Sequence, residues 1–157
     1  MAVGSADAGL ASLVAGDKHT CALMNDSTVN CWGINASGEL GDGTNTQRLT
    51  PVRVSGLSAV TQLATSGSHT CARLSSGGVK CWGNNMYGQL GDGTTTNSNV
   101  PVEVMGLSSG VVEVAASNFS SCALMTDSTV KCWGRNHAGQ LGTGAQIDSP
   151  VPVLVRK

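Results

Sequence analysis

The chain has 157 residues, of which 12% are charged, and its formal net charge is -1. That length suffices for one domain with a real core. The charge balance supplies neither a basic surface for nucleic acid nor an acidic tail, and no apolar run approaches the roughly 18 residues that a membrane helix needs. Aromatic residues make up 3% of the chain, with a single Phe and a single Tyr beside three Trp. A core of this composition must come from Val, Leu, Ala and Met, which suits thin, closely spaced sheets.

The first apolar stretch, 8–15, has no basic region before it and makes a poor export signal. It aligns with a later internal segment and belongs to the fold. Cysteines then fall at 21 and 31, 71 and 81, 122 and 132, each pair ten apart. Trp32, Trp82 and Trp133 each follow the second cysteine, and a glycine follows each tryptophan. Gly38, Gly41 and Gly43 recur as Gly88, Gly91 and Gly93, then as Gly139, Gly142 and Gly144. Each unit closes on a Pro-Val-x-Val text, at 51–54, 101–104 and 152–155. Three repeats result, approximately 5–54, 55–104 and 105–157, within one segment 1–157. The extra residue of the third fits best at 108–110, where a loop tolerates insertion at little cost.

Each unit carries four short strand signals and no helical periodicity. In the middle unit these are 60–64, 69–74, 79–83 and 101–104, with proline opening the fourth, where its missing N–H is not needed. Four short strands, repeated, are the pattern of a β-propeller blade. The expected class is therefore all-β, with three four-stranded blades per chain.

The texts His-Thr-Cys-Ala-Leu, Val-x-Cys-Trp-Gly, Asn-x-x-Gly-Gln-Leu-Gly-Asp-Gly-Thr and Pro-Val-x-Val resemble the regulator of chromosome condensation repeat family over residues 8–155. The resemblance implies a propeller, usually of seven blades, and no single function. Members include a guanine-nucleotide exchange factor for a nuclear GTPase, a plant ultraviolet photoreceptor and secreted bacterial inhibitors of β-lactamase. The cysteine-bearing form resembles the bacterial, exported branch. No loop or basic patch beyond the blades points toward nuclear, chromatin-associated duty.

Two readings of the cysteines compete. If Cys21 lies opposite Cys31, Leu23 faces Val29 and the turn centres on Asp26, which is suitable turn chemistry. Opposed residues of an antiparallel pair are close enough for a disulfide. The pairs Cys21–Cys31, Cys71–Cys81 and Cys122–Cys132 would each contribute at most about 3 kcal/mol. They imply an oxidising compartment, extracellular or periplasmic, with any export signal removed or replaced. The rival is zinc, since His19 and Cys21 face one side of a strand with Cys31 across from them. Ser120 replaces the histidine in the third unit, and no spacing supplies a fourth ligand, so disulfides are favoured and no metal or cofactor is expected.

Other tempting residues have plainer roles. His19 and His69 lack the convergent partners of an acid–base site, so no catalytic residue is expected. Asp42 and Asp92 offer one carboxylate per loop, too few for calcium, and Thr143 stands at that position in the third unit. Asn35, Asn85 and Asn136 are expected to satisfy loop backbone groups, and Trp32, Trp82 and Trp133 to pack between blades. The sequons at Asn25, Asn35 and Asn118 are attributed to chance in a Ser- and Asn-rich chain.

Function is expected where the copies differ. Arg73 stands where the other units have leucine. Ile34, Met86-Tyr87 and 135–137 vary beside a constant framework, as do 45–50, 95–100 and 145–149. Candidate binding residues are Asn45, Gln47, Arg48, Arg73, Tyr87, Asn97, Arg135, His137 and Gln146, because variation at one phase on loops is how a binding face reads. The expected function is a non-enzymatic scaffold that binds another protein through blade loops, with no nucleic-acid or membrane partner. The alternative is a self-assembling propeller fragment, natural or engineered, with no dedicated ligand. Three blades do not close a ring, whereas two chains make six blades. A homodimer is expected, with the strand at 152–155 lying in the partner's first blade, where Met1–Gly4 is its weak equivalent.

Overall fold

The computed structural model describes residues 9–156. Its strands form three four-stranded antiparallel sheets in sequence order. Blade 1 comprises β1 (Leu10–Ala15), β2 (His19–Met24), β3 (Val29–Gly33) and β4 (Arg48–Arg53). Blade 2 comprises β5 (Val60–Ser66), β6 (His69–Leu74), β7 (Val79–Gly83) and β8 (Ser98–Glu103). Blade 3 comprises β9 (Val111–Ser117), β10 (Ser120–Met125), β11 (Val130–Gly134) and β12 (Ser149–Leu154). No helix among the described residues is long and apolar enough to cross a membrane.

The central hairpin of each blade follows the register read from the sequence. Cys21 pairs with Cys31 and Leu23 with Val29. Asp26 Oδ1 accepts hydrogen bonds from Thr28 N at 3.0 Å and Thr28 Oγ1 at 2.7 Å, which closes the turn. All six cysteines are joined, with Cα–Cα distances of 4.1, 4.1 and 4.0 Å. The sulfurs that zinc would have required are thus bonded to each other.

Two expectations need correction. The fourth strand begins at Ser98, not at Pro101, and its equivalents behave alike. Gly83 pairs with Ser98 and Cys81 with Val102, so three residues of the edge strand stand against Trp82 alone. Pro101 lies in that bulge on an outer strand, where no ladder bond is lost. The second correction concerns the last strand. β12 pairs with β11 of its own blade, with Cys132 opposite Val153, so it is not donated to a partner. The hydrophobic pairing is satisfied locally, and Met1–Gly4 lie outside the described residues.

Two buried clusters fill the two seams between blades. One gathers Val29, Leu40, Val54, Leu57, Val60, Leu63 and Trp82. The other gathers their equivalents Val79, Leu90, Val104, Leu107, Val111, Val114 and Trp133. Burying each large aliphatic side chain stabilises the fold by about 1.5–3 kcal/mol, so blade stacking is the main source of stability. The antiparallel order sends the β1–β2 and β3–β4 loops, and their equivalents, to one face of the stack. The tight turns and blade connectors occupy the opposite face.

Candidate binding face

The long loop after each Trp-Gly is built around one buried asparagine. Asn35 Nδ2 donates to the carbonyls of Thr44 and Thr46, and its Oδ1 accepts from Leu40 N. Asn85 repeats this with Thr94, Thr96 and Leu90, and Asn136 with Ala145, Ile147 and Leu141. The side-chain amide replaces a missing ladder and holds a loop that has no strand of its own. Gly41 and Gly91 sit under the next blade's tryptophan, with φ of +65° and +72°. A Cβ there would stand 2.9 Å from the Trp82 indole or 2.7 Å from Trp133 Nε1. Glycine alone allows both the left-handed backbone and the close approach.

Each seam repeats the same polar contacts. Trp82 Nε1 donates to Glu39 O and Trp133 Nε1 to Gln89 O, both at 2.9 Å. His19 Nε2 meets Thr70 Oγ1, and His69 Nε2 meets Ser121 Oγ, both at 2.8 Å. The Nδ1 atoms of both histidines are buried without a partner. Burial lowers both pKa values to about 4, and the His19 charge contributes secondarily at His69. Both imidazoles are therefore neutral at neutral pH and fasten the seams through their Nε2 hydrogen bonds.

The sequence-marked residues divide into three groups. Four hold structure. Arg48 Nε donates to Asp42 Oδ2 at 2.9 Å and forms an ion pair with it. Burial alone would raise the Asp42 pKa, but hydrogen bonds from Thr44 and Arg48 outweigh it and bring the carboxyl below its usual range. Asn97 Oδ1 accepts from Asn85 N at 2.8 Å. Asn45 donates to Ala36 O and accepts from Asn99 Nδ2 across the first seam. Arg73 lies beside the turns, away from the loop face, where its Nε donates to Val111 O at 2.6 Å across the second seam. Gln47 is exposed on the β3–β4 loop, and His137 and Gln146 are exposed on the β11–β12 loop.

Tyr87 and Arg135 come together, and they do so around a residue that sequence reading missed. Phe119, in the β9–β10 loop, meets Tyr87 edge to face with centroids 5.2 Å apart. The Arg135 guanidinium lies 4.7 Å from the Tyr87 centroid and 5.5 Å from that of Phe119. The chain's only Tyr and only Phe thus meet over the second seam on the loop face. Lys18 and Ser68 occupy the equivalent places in the other blades, so a break in the repeat did mark Phe119. Among the described residues, no three His, Cys, Asp or Glu side chains converge as metal ligands.

The repeat text matches models of the regulator of chromosome condensation (RCC1) repeat. One model covers residues 26–73, 76–124 and 128–157, and a second covers 11–39, 60–89 and 111–140. The chain belongs to the RCC1 repeat family. Human WBSCR16 is 27% identical, with a TM-score of 0.85 over 98% of this chain and 39% of that one. Prp20p from Saccharomyces cerevisiae is 20% identical, with a TM-score of 0.81 over 94% of this chain and 38% of that one. The computationally designed Ika4 protein is 17% identical, with a TM-score of 0.55 over 99% of this chain and 76% of that one. The chain thus spans less than two fifths of the length of the human and yeast proteins. Yeast Prp20 has been crystallised with Kap60 bound, and its binding to Gsp1p and histones has been studied.

Proposed function

We propose that this chain is a non-enzymatic propeller scaffold that binds another protein through its loop face. The observation that carries the reading is the Tyr87–Phe119–Arg135 cluster. Interface hot spots are enriched in tyrosine and arginine, and a side chain already held in place loses less entropy on binding. Among the described residues the Arg135 guanidinium has no hydrogen-bond or ion-pair partner, so its donors are available to a partner's carboxylate. Met86, 61% exposed, adds adaptable apolar surface beside Tyr87. The proposed compartment is extracellular or periplasmic, supported by three disulfides, and the proposed working form is a homodimer that closes a six-bladed ring.

Selection from a phage-displayed random peptide library tests the reading. Enriched peptides are expected to bind wild-type protein and to lose at least roughly 10-fold in affinity to a Tyr87→Ala/Arg135→Ala variant. Peptides that bind both proteins equally, or no enrichment, would remove the loop face from the proposal.

A further inference from the structure

Each seam inside the chain joins two unlike surfaces. The leading surface brings an indole and a hydroxyl, Trp82 with Thr70 or Trp133 with Ser121. The trailing surface brings a carbonyl, a glycine and a valine: Glu39, Gly41 and Val54, or Gln89, Gly91 and Val104. Blade 3 carries this trailing set a third time, as Gln140, Gly142 and Val155. Gly142 has the same left-handed backbone, with φ of +64°, but the Cβ direction there meets Val155 and no indole. Val130, Leu154 and Val155 line a groove of about 380 Å³ beside it.

Blade 1 carries the complementary set. Trp32 is half-buried, whereas Trp82 and Trp133 are fully buried. Leu10 and Leu13 are 58% and 56% exposed, although their equivalents Val60, Leu63, Val111 and Val114 are all buried. The molecule therefore holds both halves of a seam that it builds twice internally.

We infer that a second copy seats its leading surface on the trailing surface of blade 3, with its Trp32 N–H on the Gln140 carbonyl and its indole over Gly142. The inference rests on the proposed dimer and assigns the surfaces that form it. A second copy fits because the internal seams show this chain's own leading and trailing surfaces packing together. A head-to-tail contact closes when its rotation permits, and two copies related by a twofold axis satisfy both junctions at once. No strand exchange is needed, since β12 stays in its own blade. This junction would also differ chemically from the internal seams. Ser120 stands in the place of His19 and His69, so Thr20 of the second copy would face a hydroxyl and not an imidazole.

Sedimentation velocity on the full chain and three variants tests this. Wild type is expected at twice the 15.9 kDa chain mass. Trp32→Ala and Leu13→Asp are expected to weaken self-association at least 30-fold, as befits truncation of an interface hot spot, on the order of 2 kcal/mol. Tyr87→Ala, on the loop face, is expected to leave the mass unchanged. Circular dichroism of each variant reports its fold, and Leu13→Asp carries the test should Trp32→Ala lose structure. A wild type that sediments at single-chain mass throughout overturns both the dimer and the seam. A wild-type dimer that both substitutions leave intact keeps the dimer and overturns the seam.

Discussion

The two seams of this molecule share one plan and differ in their additions. Both have an indole on a carbonyl, a glycine beneath the ring and an imidazole on a hydroxyl. The second seam adds three contacts at positions where the repeats diverge. Gln62 exchanges two hydrogen bonds with the Val114 backbone, at 3.2 and 3.0 Å. Arg73 grips Val111 O, and the Tyr87–Phe119–Arg135 cluster caps the loop face. The first seam has Asn45–Asn99 instead. Contacts at repeated positions build the stack, and contacts at divergent positions make one seam unlike the other. Divergence therefore marks two different things: an aromatic–guanidinium cluster on the loop face at Tyr87 and Arg135, proposed above as a binding surface, and an internal clasp at Arg73.

Truncating the shared indole should have the largest effect and should not distinguish the seams. Trp82→Ala and Trp133→Ala are each expected to cost about 3–5 kcal/mol, read from denaturant midpoints. A loss below about 1 kcal/mol at either position would separate the two seams at their most constant contact.

Acid should strain both seams next. His19 and His69 are neutral in the fold down to about pH 4, while the unfolded chain takes up protons near pH 6.5. The native state is thus fully stabilised above pH 6.5 and loses stability as the pH falls from 6.5 toward 4. The loss is about 3 kcal/mol for each histidine. Thermal unfolding between pH 7 and 4 should show this slope, and His69→Ser, the residue found in blade 3, should flatten it. An unchanged slope in that variant would mean that His69 is accessible to protons.

The divergent clasps should act on the second seam alone. Arg73→Ala and Gln62→Ala are expected to cost about 1–2 kcal/mol each, because both leave buried backbone groups unpaired. Hydrogen exchange should speed at Val114 and leave Leu63 unaffected; equal acceleration at both would show that the seams unfold as one unit. The smallest effect on stability is expected for Tyr87→Ala, about 0.5–1.5 kcal/mol, the scale of an aromatic pair. Its main consequence should be on binding, which calorimetric unfolding and peptide affinity measured together would separate.

Much of the fold is legible from residue text because the underlying rules are local. Ten-residue spacing with turn chemistry at its centre sets the Cys21–Cys31 register, and strand geometry then puts the sulfurs within bonding range. The start of the edge strand escapes such reading because a bulge obeys neither alternation nor proline punctuation. Arg48 and Asn97 are legible as variable but not as structural, since Asp42 and Asn85 reach them only after the loop has folded. Phe119 shows no role within its own repeat because its partner Tyr87 lies in another blade.

The residue order alone determined the blade: strand count, hairpin register, disulfide pairs and the glycines beneath the loops. These depend on contacts within one repeat, whose period the chain displays three times. Only the tertiary structure decided which divergent residues meet across a seam, which carry internal hydrogen bonds, and which surfaces stay uncovered. Those outcomes follow from how one sheet stacks on the next. The stacking places residues from different repeats side by side, and no spacing along the chain records their distance.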